Sequence, residues 1–261
     1  MKNALAIAGF DPSGWAGLLA DSETFKALGL KGYGAAAALT AQNLTTVKGV
    51  TAVEPGFLSR EIETLLEEFE MDAVKVGMLA TAANVRVVGR VLKKGRMKNI
   101  VLDPVMRSTG GRMLLSREGV KVLISELLPL STIVTPNINE ATVISGIKIK
   151  GMVEMEAAAE KIFSLGPGSV LIKGGHLQGP PVDVLYDGKD FYYFRGRRIK
   201  GAKEIFHGTG CVLSSAIASG LAMGRPLKEA VEGAKKYLEK VIMERKDLLK
   251  GRGSRRRCGL A

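Results

Sequence analysis

Cysteine is nearly missing from this chain: its 261 residues contain two, Cys211 and Cys258. Two thiols so far apart form neither a disulfide scaffold nor a cysteine metal cage, so stability has to come from a packed core. Long apolar runs are lacking as well. No segment approaches the roughly 20 apolar residues of a membrane span, and Met1-Lys2-Asn3 leads into a strand-like run without the apolar stretch of a signal peptide. These absences set the expectation of a cytoplasmic protein. Repeats, low-complexity linkers and composition shifts are missing too, which favours a single domain over residues 1–248 followed by a basic tail, 249–261, expected to be disordered. Glutamine is scarce, with only Gln42 and Gln178. Such depletion occurs in heat-adapted chains, so a retained glutamine invites a reason.

What is present supports a large core: 46% of residues are hydrophobic and 25% charged. Lysine and arginine number 38 against 26 acidic residues, a formal net charge of +12, which raises a noncatalytic nucleic-acid-binding protein as one class of function. The distribution argues against it. The excess sits in Lys93-Lys94-Arg96-Lys98, in Arg195-Arg197-Arg198-Lys200 and in the C-terminal run from Lys246 to Arg257, with no aromatic residues interleaved in that last run. Solvated loops and a solvated tail, or an anionic substrate, account for the same charge.

Strand-like and helix-like segments alternate along the chain. Strands are expected at 4–9, 32–40, 73–79, 100–102, 132–134 and 169–172, and helices at 21–28, 57–69, 85–92, from a Ser116 cap to 128, at 154–165, 210–223 and 227–246. This rhythm predicts a parallel sheet with helices on both faces. One segment breaks it: Val182–Tyr186 and Phe191–Phe194 flank Asp187-Gly188, a hairpin signal that appends an antiparallel edge pair.

Two glycine-rich turns enter helices. Gly208-Thr209-Gly210-Cys211 precedes a small apolar helix, where free backbone N–H groups and the helix dipole form an anion cradle. A cysteine in that first turn is in a field that lowers thiol pKa, although a small core residue is the duller reading. Phe10 to Gly17 follows the first strand in the same manner. In an open α/β sheet, such turns meet at the strand C-termini, where ligands bind.

The motifs AGFDPSGWAG with Asp21, LTAQN, DPVM, TPN with Glu140, IKGGH and HGTGC follow one another along residues 4–245. Together they resemble the hydroxymethylpyrimidine and hydroxymethylpyrimidine phosphate kinases of thiamin biosynthesis, in the ribokinase superfamily. The resemblance implies a ribokinase-like three-layer α/β/α sandwich with a mostly parallel central sheet, ATP with magnesium (Mg2+), and a homodimer. It also implies γ-phosphoryl transfer to 4-amino-5-hydroxymethyl-2-methylpyrimidine and its monophosphate. A pyridoxal or pyridoxine kinase of the same superfamily is the nearest alternative, disfavoured by the glutamine after the LTA run.

Carried onto this chain, the resemblance assigns Gln42 to the edge of the aminopyrimidine, Asp21 and Gly9 to the acceptor, and Met78 and Val105 to the flat ring. Asp21 as a helix N-cap, Gln42 as a turn residue, and Met78 and Val105 as core are the structural alternatives. Asp103 and Glu140 supply carboxylates for magnesium, directly or through water, with Asn137 and Lys173 on the ATP phosphates. Gly208, Thr209 and Gly210 hold the transferring group and Cys211 activates the acceptor hydroxyl, where ribokinase relatives commonly carry aspartate. His176 and His207 receive no catalytic role. Phe10 and Trp15 stand where the family usually shows serine and glycine, and Arg107 to Arg112 departs from the usual small, apolar flap, so both segments bear on acceptor choice.

Overall fold

The computed structural model describes residues 1–108, 110–175 and 180–257, without side chains over 251–257; His176, Gln178 and Cys258 lie outside it. Among the described residues, nine strands form one sheet in the order β3-β2-β1-β4-β5-β6-β7-β8-β9. The parallel strands are β1 (Asn3–Phe10), β2 (Lys31–Gln42), β4 (Ala73–Val76), β5 (Ile100–Leu102), β6 (Ile133–Val134) and β7 (Val170–Ile172). The expected hairpin is present as β8 (Val182–Tyr186) and β9 (Phe191–Arg195), antiparallel to each other and to β7. The other edge is antiparallel as well, because β3 (Val47–Ala52) turns back on β2. Its turn is built by Asn43, whose Oδ1 accepts the N–H groups of Thr45 and Thr46.

Alternation along each strand divides the core between two faces. Leu5 and Ile7 of β1, Val74 and Val76 of β4, and Ile100 and Leu102 of β5 pack under α2 (Pro55–Glu68), α3 (Ala82–Lys94), α5 (Ile138–Ser145) and α6 (Met152–Phe163). Ala4 and Ala6, Ala73 and Val101 face α1 (Gly17–Ala27), α7 (Thr209–Ala222) and α8 (Leu227–Arg257). The small side chains on that second face admit α7, in which every residue from Val212 to Ala222 is buried. Each large aliphatic side chain so buried contributes about 1.5–3 kcal/mol relative to exposure. The fold is therefore the α/β class with helices on both sides of a mostly parallel sheet.

Several elements differ from the sequence expectation. The run Lys203–Ala222, a 3-10 turn followed by α7, does have the length and mean hydropathy of a membrane span, but 72% of its apolar 18-residue window is buried inside the domain. Asp21 does not open a helix; α1 begins at Gly17 with Ala16 as its N-cap. The helix capped by Ser116 is regular only over α4 (Arg117–Val122), then widens to a π-turn over Leu123–Leu127 and tightens to a 3-10 turn at Leu128–Leu130, where Pro129 removes a donor. α5 was not anticipated, and α8 continues to Arg257, past residue 248.

Candidate active site

The C-terminal ends of the parallel strands open into one cavity of about 1170 Å3. Gly9, Gln42, Met78, Val105, Asp103, Asn137, Glu140, Lys173 and the turn Gly208 to Cys211 all line it. Asp21 does not. Its carboxylate is fully buried between α1, β4 and α7, with Oδ1 and Oδ2 at 2.8 and 2.7 Å from Nζ of Lys75, and Oδ1 accepts Ser215 Oγ at 2.7 Å. Asp21 is thus neither an N-cap nor an acceptor contact. Burial works against the Lys75 charge, and the touching Asp21 carboxylate outweighs it and raises the ammonium's pKa.

The two glycine-rich turns meet, as their placement at the sheet edge requires. Gly208 caps α7 in a left-handed conformation (φ +69°), and any Cβ there would overlap the carbonyl oxygen of Trp15. Gly17 starts α1 with φ +58°, and a Cβ there would overlap the carbonyl oxygen of Gly9. Both positions therefore require glycine for conformation and for close approach. The consequence is that the N-termini of α1 and α7 face the same point. Cys211 lies in the first turn of α7, and the N–H of Gly17 is among the groups that favour its charged form.

The thiol is not the partly ionised group that its position in the sequence suggested. Burial pushes Cys211 up to about 11, with Asp21 and Asp103 adding to the rise and Lys75 and the Gly17 N–H opposing it. Burial, helped by Asp21 and Asp103, outweighs Lys75 and the helix N-terminus, so the resting group is a neutral thiol.

Across from it, Lys173 Nζ donates to Asp103 Oδ1 at 2.8 Å. A Cβ on Gly210 would sit 3.3 Å from Asp103 Oδ2 and 3.4 Å from Lys173 Nζ, so this pair adjoins the anion cradle directly. Burial disfavours the Lys173 charge, but Asp103 and Glu140 outweigh it and raise its pKa. Glu140 belongs to a capping box at the start of α5: Asn137 Oδ1 accepts the Glu140 N–H at 3.0 Å and Glu140 Oε2 accepts the Asn137 N–H at 2.9 Å. Burial raises Glu140 to about 7, Asp103 adds to it, and Lys173 with the N–H groups of Asn137 and Met106 opposes. A buried carboxyl beside a second carboxylate is an arrangement that an added cation relieves.

The segments that depart from the family pattern separate in space. Phe10 lines the cavity, as do Arg107, Ser108 and Gly111. Trp15 does not line it. Its ring lies 4.7 Å from the guanidinium of Arg245 in α8, which also donates to the carbonyls of Trp15 and His207 at 2.9 and 2.6 Å. Trp15 therefore docks the C-terminal helix on the first loop and does not roof the acceptor. Sequence reasoning missed Lys75, whose only signal is one lysine inside the apolar strand Ala73–Val76, and gave no role to Asp11 or His207, which pair in the cavity wall at 2.7 Å.

Residues 11–256 match the model of the phosphomethylpyrimidine kinase family. The hydroxymethylpyrimidine/phosphomethylpyrimidine kinase of Aquifex aeolicus is 45% identical over 249 residues, 95% of this chain and 97% of the relative. Among solved structures, the phosphomethylpyrimidine kinase of Clostridium difficile 630 is 40% identical with a TM-score of 0.84, covering 93% of this chain and all of that one. The ADP complex of Bacillus subtilis pyridoxal kinase is 34% identical with a TM-score of 0.82, covering 90% and 89%. Matched over nearly its whole length by a family model, by a curated relative and by a solved structure, this chain belongs to the phosphomethylpyrimidine kinase family.

Proposed function

We propose that this enzyme transfers the γ-phosphoryl group of ATP to the hydroxymethyl group of 4-amino-5-hydroxymethyl-2-methylpyrimidine, and then a second one to the resulting monophosphate, in thiamine biosynthesis. One observation carries the reading beyond the family: a single cavity is lined both by Gln42 and by the N-terminus of α7 with Cys211, beside the Lys173–Asp103 pair. Gln42 offers an acceptor and donors that match an amino group and the neighbouring ring nitrogen. Met78 and Val105 supply apolar surface for the flat ring.

The hydroxymethyl oxygen then faces the cradle of Gly208, Thr209 and Gly210, whose backbone donors stabilise the charge of the transferring group. Cys211 aligns the hydroxyl and accepts its proton as the thiolate, the resting thiol having first lost its own proton to solvent. In a loose transition state that proton departs late, so a group of high pKa suffices. Lys173 neutralises the triphosphate, and the basic residues Arg197 and Lys203 at the cavity wall favour an anionic nucleotide.

Magnesium fits the carboxyl pair. It takes oxygen ligands, keeps several waters and is often held by one or two carboxylates plus substrate phosphates; Asp103 and Glu140 are the carboxylates that would hold it, and Asn137 shares their turn. Bound there, the ion would neutralise charge on the phosphates. A cytoplasmic homodimer completes the reading, supported by the family resemblance. Phosphorylation of a pyridine alcohol is the second reading, kept because a pyridoxal kinase shares the fold.

Gln42→Ala tests the acceptor assignment. It should weaken the pyrimidine by about 1–3 kcal/mol, the effect of unmade hydrogen bonds to a buried ligand, with the KM for ATP unchanged. Loss of nucleotide affinity with the acceptor unaffected would remove Gln42 from this role.

A further inference from the structure

Arg245 has no part in the chemistry above, yet it is the one arginine buried among the described residues, 8% exposed. It projects from α8 and forms no ion pair with a described carboxylate, so charge pairing does not account for its burial. Its guanidinium donates to backbone instead: Nη1 to the His207 carbonyl at 2.6 Å and Nη2 to the Trp15 carbonyl at 2.9 Å. The Trp15 ring, 4.7 Å away, gives the cation an aromatic seat. One side chain of the C-terminal helix therefore holds both glycine-rich turns.

What those bonds fix is the direction of two peptide planes. In a trans peptide the C=O and the following N–H point opposite ways, and no described peptide is cis. Holding the His207 carbonyl toward α8 turns the Gly208 N–H away from it, and holding the Trp15 carbonyl does the same to the Ala16 N–H. Gly208 and Ala16 line the cavity, whereas Arg245 lies behind it. The Trp15 oxygen is also the atom against which Gly208 packs without room for a Cβ, so the two peptides are set against each other as well as against the guanidinium. On the cavity side, Asp11 Oδ2 and His207 Nε2 tie the same two segments at 2.7 Å.

We infer that Arg245 is a positioning residue for phosphoryl transfer: from behind the cavity it sets peptides 15–16 and 207–208 so that the Ala16 and Gly208 N–H groups are presented to the transferring group. The inference rests on the proposed role of the Gly208 to Gly210 cradle and adds to it a residue from the far end of the chain. The rigid, two-nitrogen fork of arginine is what the task requires. A lysine keeps the charge but offers one nitrogen, which cannot hold both carbonyls in the same geometry.

The test measures kcat per folded chain, with KM for ATP and for hydroxymethylpyrimidine, in the parent, Arg245→Met and Arg245→Lys. In Arg245→Met kcat should fall by about 10-fold or more with both KM values within about twofold of the parent, because misaimed donors weaken the transition state more than the ground state. Arg245→Lys should not restore it. Binding of ADP, magnesium and fluoroaluminate, a mimic of the transferring phosphoryl group, should weaken by about 10-fold or more in both variants, while ADP alone binds as in the parent. A role confined to docking α8 would lower the denaturant midpoint and leave kcat of the folded chain unchanged, and that result overturns the inference. Parent-like kcat in Arg245→Lys also overturns it, since charge alone would then suffice. A parent chain that phosphorylates no pyrimidine overturns the functional reading instead, and the fluoroaluminate comparison, which needs no acceptor alcohol, still decides on Arg245. Should Arg245→Met fail to fold, Arg245→Lys reads the same quantities.

Discussion

Cys211→Ala is expected to lower turnover by about 10²–10⁴-fold, the range for a lost proton-transfer group, while the fold and the affinity for ATP stay near those of the parent. The size of the effect follows from the position of the sulfur. It lies in the first turn of α7, where the Gly17 N–H at the start of α1 favours its charged form, and adjoins the backbone donors of Gly208 to Gly210. Alanine removes the sulfur proposed to meet the acceptor hydroxyl and leaves the cradle intact, so binding survives and the transition state suffers. The resting thiol, at about 11, also sets a chemical signature. Alkylation of Cys211, followed on its own peptide, should be slow at neutral pH and rise about tenfold per pH unit, because only the thiolate reacts. Wild-type turnover in Cys211→Ala, measured as initial rates at saturating ATP and acceptor, would exclude this residue from the chemistry.

Lys75→Met should destabilise the folded chain by about 3–5 kcal/mol, because it strands the Asp21 carboxylate in a fully buried site. Lys75 Nζ meets both oxygens of Asp21, and Ser215 donates to one of them, so a single cluster pins β4 to α1 and α7. Those two helices carry the N-termini that form the cradle. Replacing both charges, as in Lys75→Met with Asp21→Leu, should recover much of the loss, since a buried pair is worth little more than apolar side chains of the same volume. Denaturant midpoints of the two variants decide it. If Lys75→Met unfolds at the parent's midpoint, the cluster is no pin. Because neither side chain touches the cavity, the double variant also separates support of the cradle from contact with the substrate.

The elements most legible in the sequence are those fixed by neighbouring residues. Alternating apolar strands buried on both faces, the Asp187-Gly188 hairpin and the glycine turns at Gly17 and Gly208 all follow from local sterics. β3 and α5 went unread although the Asn43 turn and the Asn137-x-x-Glu140 capping box signal them, because those residues also carry other signals. Glu140, for one, both caps a helix and lines the cavity. Contacts between distant residues were not legible. Lys75 lies 54 positions from Asp21 and Arg245 lies 230 from Trp15, so neither pairing leaves a periodic trace. The same limit explains the error over Cys211. The helix dipole is a local property, whereas the burial that outweighs it, and the carboxylates of Asp21 and Asp103 that add to it, come from elements distant in the chain.

The acceptor itself is the central claim. Initial rates of ADP formation with ATP, magnesium and, in turn, hydroxymethylpyrimidine, its monophosphate and pyridoxine measure it directly. Both pyrimidines should be phosphorylated, each with a kcat/KM about 10-fold or more above that for pyridoxine, because only they satisfy the donor and acceptor edge of Gln42. A chain that phosphorylates pyridoxine and leaves both pyrimidines unchanged would contradict the account.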